Sequence, residues 1–123
     1  MPDRLLVAKE LADIFKLIAH PDRIRLIEEL RKQELDVNSL AEKLALPGAR
    51  VSQHLALLRA HRLVEERRDG RRHYYHLTQP EIAQWIVAGI DFVEGRLSNL
   101  PSSAFESARQ LWSEKDQPDG APT

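Results

Sequence analysis

The side chains with the most chemical potential in this sequence are arginines and histidines, and they crowd into one stretch. Between Arg50 and His76 lie seven arginines against three acids, a local charge of +4, while the rest of the chain carries −5. Four of the five histidines fall in the same stretch. A basic block inside a chain of net charge −1 is the layout of a localised phosphate-gripping surface, and the alternative is a solvated charged face. Covalent and redox chemistry have little to work with. The chain has no cysteine, which excludes disulfides, thiolate metal sites and thiol nucleophiles. It has no nucleophile–base pair, no framed pair of acids and no glycine-rich phosphate loop, so it does not read as an enzyme.

The elements that must hold these groups follow from periodicity. Leu5, Ala8, Leu11, Ala12, Phe15 and Ile18 recur at helical spacing, predicting a first helix over 5–18 that is apolar on more than one face. His20-Pro21 closes it and opens a second helix to about Lys32, with Ile24, Ile27 and Leu30 inward. Asp36 with Ser39 predicts the cap of a short third helix carrying Leu40 and Leu44, and Pro47-Gly48 breaks the chain. A fourth helix over 48–60 places Val51, Leu55 and Leu58 on one stripe. The period then changes. Residues 63–68 and 71–77 read as strands joined by Asp69-Gly70, a hairpin signal. Thr78 and Glu81 fit a capping box ahead of a long helix bearing Ile82, Trp85, Ile86, Gly89, Ile90, Val93 and Leu97. Ser103 with Glu106 predicts the start of a last short helix, and the polar tail 115–123 is expected to fray.

Two short helices around a tight break, followed by a basic hairpin, make a helix-turn-helix with a wing. A helix fits the major groove, its exposed face reads base edges, and a flanking basic ribbon holds phosphates. On the fourth helix the face away from the core stripe offers Ala49, Arg50, Ser52, Gln53 and Ala56. Arginine and glutamine make bidentate base contacts, and the alanines permit close approach. The expected architecture is mainly α with a small β-hairpin, in one winged domain over 1–100 with flanking dimerisation helices. Residues 101–123 supply the short helix and the tail.

The run His20-Pro21-Asp22-Arg23-Ile24-Arg25-Leu26-Ile27, then Leu40-Ala41-Glu42-Lys43-Leu44, then Val51-Ser52-Gln53-His54-Leu55-Ala56-Leu57-Leu58-Arg59 resembles the ArsR/SmtB family of bacterial repressors. The stretch Leu63 to Arg72 and Tyr74-Tyr75-His76-Leu77 is similar to that family's wing. The resemblance covers roughly 10–97. It implies a homodimer, paired through the first and the long fifth helix, that binds double-stranded DNA at an inverted-repeat operator. Two-fold pairing sets two recognition helices about one DNA turn, ~34 Å, apart. The resemblance points to Ser52, Gln53 and His54 as DNA-binding, and Arg50 joins them from its face. His54 flanks the core stripe, so DNA contact and packing are both open to it. Arg68, Arg71 and Arg72 are expected on phosphate or in the minor groove. The dimer interface is expected from Leu11, Phe15, Trp85, Ile86, Ile90 and Val93.

Many members of that family sense metals. Where one familiar site has thiolates this chain has Asp36 and Asn38, poor ligands for soft ions. Where another draws on the long helix, Asp91 and Glu94 are present but no histidine follows His76. No metal site and no cofactor are therefore expected, and His73 and His76, three apart on a strand, point to opposite faces. The effector stays open: a small molecule, a partner protein, a carboxylate metal site, or none. No apolar stretch approaches the ~18 residues of a membrane span, and Met1-Pro2-Asp3-Arg4 lacks a signal-peptide layout. A cytoplasmic DNA-binding regulator is the leading expectation. A winged-helix adaptor that joins proteins is the alternative.

Overall fold

The computed structural model describes residues 2–97 and 99–113; the expected frayed tail lies outside them. The chain runs α1 (Pro2–Ile18), α2 (Pro21–Lys32), β1 (Leu35–Asp36), α3 (Val37–Leu44), α4 (Gly48–Ala60), β2 (Val64–Asp69), β3 (Arg72–Leu77), α5 (Ile82–Arg96) and α6 (Ser102–Ser113). The strands form one antiparallel sheet in the order β1-β3-β2. This is the expected winged helix-turn-helix, with one strand more than the hairpin read from sequence. Leu35 pairs with Tyr75 and Asp36 with Tyr74. A two-residue strand is too short to show an alternating pattern, which is why periodicity passed over it.

The core is where the helix stripes meet. Leu26, Ile27, Leu40, Val51, Leu55 and Leu58 are all 0% exposed, so α2, α3 and α4 close on one another with no gap for solvent. Leu63, Val64 and Leu77 seal the root of the wing, and Trp112 of α6 joins the same cluster. Arg109 of α6 pairs with Asp91 and Glu94 of α5.

Local chemistry explains most element boundaries. The Asp22 backbone N–H donates to Nδ1 of His20 at 3.1 Å, so His20 caps α2 ahead of Pro21. The Ser39 N–H donates to Asp36 Oδ1 at 2.8 Å, the cap expected for α3. Gly48 begins α4 as expected, with Pro47 at its cap, and the chain leaves α3 through Ala45 in the left-handed region (φ 55°, ψ 46°). Three expectations give way. Asp69 pairs with Arg72, so the turn residues are Gly70 and Arg71 rather than Asp69 and Gly70. Positive φ at Gly70 alone of that pair (φ +62°) is the type II′ arrangement, which needs glycine first. The Thr78 hydroxyl donates to the Arg62 carbonyl at 2.6 Å instead of capping, and Glu81 makes no side-chain cap bond to α5. Likewise Ser103 lies inside α6 rather than at its cap.

Two stability outcomes follow. Leu55→Ala, which empties a fully buried site, lowers unfolding free energy by about 2–5 kcal/mol in urea titration. Ala45→Gly relieves a left-handed alanine and raises stability by about 1 kcal/mol in the same measurement. A neutral or destabilising Ala45→Gly contradicts the turn geometry.

Candidate nucleic-acid interface

Burying Val51, Leu55 and Leu58 turns the opposite side of α4 outward. Ala49, Arg50, Ser52, Gln53 and Ala56 are all exposed there, and all five lie in the first nine residues of the helix. Among the described residues, Arg50, Ser52 and Gln53 make no side-chain hydrogen bond or ion pair. Donors and acceptors that fold without partners, on a convex helix start flanked by small residues, are what base-edge contact requires.

His54 is placed differently from Arg50, Ser52 and Gln53. It lies about 60° round the helix from Val51, on the margin of the buried seam, and its side chain is only 12% exposed. Its Nδ1 lies 3.4 Å from Arg23 Nη1, its Nε2 lies 3.6 Å from Asp22 Oδ2, and its ring is tilted against His20 at 4.7 Å between centroids. Of the two roles open to it, the fold gives it packing against the start of α2. Burial, with His20 and Arg23 nearby, pushes its pKa below the ordinary histidine value; Asp22 opposes this.

The wing divides its basic residues into two groups. Arg71 sits at the turn, exposed and without a partner among the described residues. Arg72 is exposed beside Tyr74 and Asp36, and Arg68 is exposed with one long contact, 3.5 Å, to Glu66. The others are tied down. Glu66 accepts from His73 Nδ1 at 2.8 Å, from the Tyr75 hydroxyl at 3.1 Å and from Arg59 of α4 at 3.1 Å. The His73 and Tyr75 hydrogen bonds, with the Arg59 charge, hold that carboxyl below its usual range. Arg67 donates to both oxygens of Glu34 at 3.1 Å and its guanidinium covers the Tyr74 ring. Sequence reading missed Glu66 and Glu34 as organisers. The one available signal was the presence of acids inside or beside a block that otherwise selects arginine.

Several acids and imidazoles that could ligate a metal already have protein partners. Asp36 caps α3, and Asp91 and Glu94 are both held by Arg109. His73 turns to Glu66, whereas His76 lies 3.6 Å from Glu34 and 3.5 Å from Glu65. His20, Asp22 and His54 offer ligand atoms within 4.8 Å of one another. Yet His20 Nδ1 already accepts the Asp22 amide, and a guanidinium stands at His54 Nδ1. That constellation is a hydrogen-bonded cluster with a cation already in it, which disfavours a second.

The expected interface residues lie on one side of the molecule. Phe15 of α1 and Trp85 of α5 are 53% and 43% exposed, and their rings meet at 5.7 Å. Leu11 and Val93 are also exposed, and Ile86 and Ile90 are half-buried. With Phe105 of α6, several of them line an open apolar groove of about 540 Å³. No helix among the described residues is long and apolar enough to cross a membrane.

A family model described as "Bacterial regulatory protein, arsR family" matches residues 20–66, from the cap of α2 into the wing. The HTH-type transcriptional regulator KmtR of Mycobacterium tuberculosis is 36% identical over 91 residues, 74% of this chain and 70% of that protein. The transcriptional repressor SmtB homolog of Synechocystis is 40% identical over 75 residues, 61% of this chain and 57% of that protein. The crystal structure of NolR from Sinorhizobium fredii superposes with a TM-score of 0.68 at 32% identity, over 75% of this chain and 92% of that one. The matched segments carry the buried seam of α4, its exposed start and the wing root, and together they show that this chain belongs to the ArsR family of bacterial transcriptional regulators, which are not enzymes.

Proposed function

We propose that the protein is a dimeric cytoplasmic repressor of transcription that binds an inverted-repeat operator, reading bases with α4 and holding phosphates with the wing. The observation that carries this reading is the unpartnered polar start of α4, Arg50, Ser52 and Gln53, beside the exposed wing arginines Arg68, Arg71 and Arg72. An adaptor that only joins proteins has no use for that pairing of groups. The dimer rests on the exposed apolar side of α1 and α5, where Leu11, Phe15, Trp85 and Val93 remain uncovered in one chain. Pairing through that side presents two α4 helices to successive turns of DNA. The reading includes no thiolate sensor, and no metal sensor on α3 or the long helix α5.

The division between reading and gripping is testable by affinity. Gln53→Ala loses about 1–3 kcal/mol on the operator and much less on a scrambled duplex. Arg71→Ala weakens both duplexes evenly and lowers the slope of log affinity against log salt by about one. Binding of each variant to both duplexes at several salt concentrations checks this, and equal losses for Gln53→Ala on the two DNAs contradict it.

The dimer is tested by a charge on its exposed side. Val93→Asp gives a folded monomer in sedimentation analysis and weakens operator binding more than tenfold, about 1.4 kcal/mol. A wild-type chain that sediments as a monomer at micromolar concentration removes the dimer from the reading.

A further inference from the structure

The cluster around His54 joins three elements that a DNA reader must keep in register, and its hydrogen-bond logic is more restrictive than packing requires. A guanidinium only donates, so the 3.4 Å approach of Arg23 to His54 Nδ1 makes that nitrogen an acceptor. The ring proton then sits on Nε2, which faces the Asp22 carboxylate. Arg23 is itself anchored at the far end, donating to the carbonyls of Leu17 and Lys16 in the last turn of α1. A chain of contacts therefore runs from α1, through Arg23 and His54, into the first two turns of α4.

We propose that His54 is a positioning residue of the recognition helix: its neutral imidazole, held among Arg23, Asp22 and His20, fixes α4 against α2 and the end of α1, and protonation loosens that hold and weakens operator binding. The proposal rests on α4 being the reader. It differs from a DNA-contact role for His54 in the sign of its pH dependence.

A proton added at Nδ1 would point at the Arg23 guanidinium, turning an acceptor into a second donor and placing like charges together. The titratable and charged groups facing the ring are His20 from the α1–α2 junction and Asp22 and Arg23 from α2. Arg50, one turn earlier on α4, is exposed to solvent. Burial is the largest influence on the ring, and His20 and Arg23 act with it; Asp22 alone favours the charged form. The folded value is thus depressed below 6.5. Such a group contributes stability that is present above its unfolded value and is lost as pH falls through the folded one. A histidine touching phosphate has the opposite behaviour, since protonation there strengthens DNA binding and adds one phosphate contact.

The experiment compares the full-length wild type with His54→Gln, whose amide offers an acceptor and a donor but cannot take a proton. Affinity is measured for a duplex covering the DNA upstream of the protein's own gene and for a scrambled duplex of equal length. The wild type should lose about tenfold in affinity for the upstream duplex between about pH 7.5 and about pH 5.5. His54→Gln should stay within about threefold of wild type at the higher pH and lose the decline, with the salt slope equal in both proteins. An NMR titration of the His54 ring in the wild type, free of DNA, should fall in the same pH window as the decline. That arm stands even if His54→Gln does not fold. Affinity that rises on acidification in step with the His54 titration, or a His54→Gln protein that keeps the wild-type pH profile, overturns the proposal. A chain that binds neither duplex at either pH overturns the operator reading, and this proposal with it.

Discussion

The fold depends on α4 being buried along one side and bare along the other. Val51, Leu55 and Leu58 are completely enclosed, each contributing about 2 kcal/mol through removal of apolar surface from water. The helical repeat then leaves Arg50, Ser52, Gln53 and Ala56 no choice but to face outward. Because the seam joins the core shared with α2 and α3, the exposed face of α4 is set by the packed core rather than by a loop. The same geometry decides His54. It sits at the edge of the seam, close enough to the core for Arg23 and Asp22 to reach it and too far round to share the exposed face.

Charge is organised by a second rule, that a carboxylate near arginines orders some of them and leaves the rest to solvent. Glu66 takes up Arg59, His73 and the Tyr75 hydroxyl, tying the end of α4 to both long strands of the wing. Glu34 draws in Arg67 from the segment before β1. These pairs are largely surface-exposed and add little stability. Their effect is geometric, holding the hairpin at a defined angle to α4 while Arg71 at its tip stays without a partner among the described residues. Of the seven arginines in the block, Arg59 and Arg67 thus shape the wing, whereas Arg68, Arg71 and Arg72 extend from it.

Apolar surface left over on α1 and α5 is the third constraint. Of α1 only Leu17 is buried, although Leu5, Leu6, Val7, Leu11 and Phe15 are all large and apolar. A helix so poorly covered by its own chain gains from a second partner surface, whereas α6 earns its place within one chain by burying Phe105 and Trp112 and pairing Arg109 with two acids of α5.

The sequence alone determined the helices, the break before α4, the hairpin and the exposed polar face of α4, because each rests on a local repeat of 3.6 or 2 residues, on a Pro-Gly break or on a local cap such as Asp36 with Ser39. It also determined the absence of thiol chemistry, which composition settles outright. The tertiary structure alone decided three things. It made Leu35 and Asp36 a third strand, through partners some 40 positions away. It moved Thr78 from a helix cap to the Arg62 carbonyl. And it placed His54, which the sequence left open between DNA contact and packing, at the α1–α2 junction, where Arg23 and Asp22 meet it across about 31 residues of chain. Periodicity specifies which way a side chain points from its own element. Which neighbour waits there is fixed only when distant elements pack, since hydrogen bonds and ion pairs act over a few ångströms of space and not along the chain.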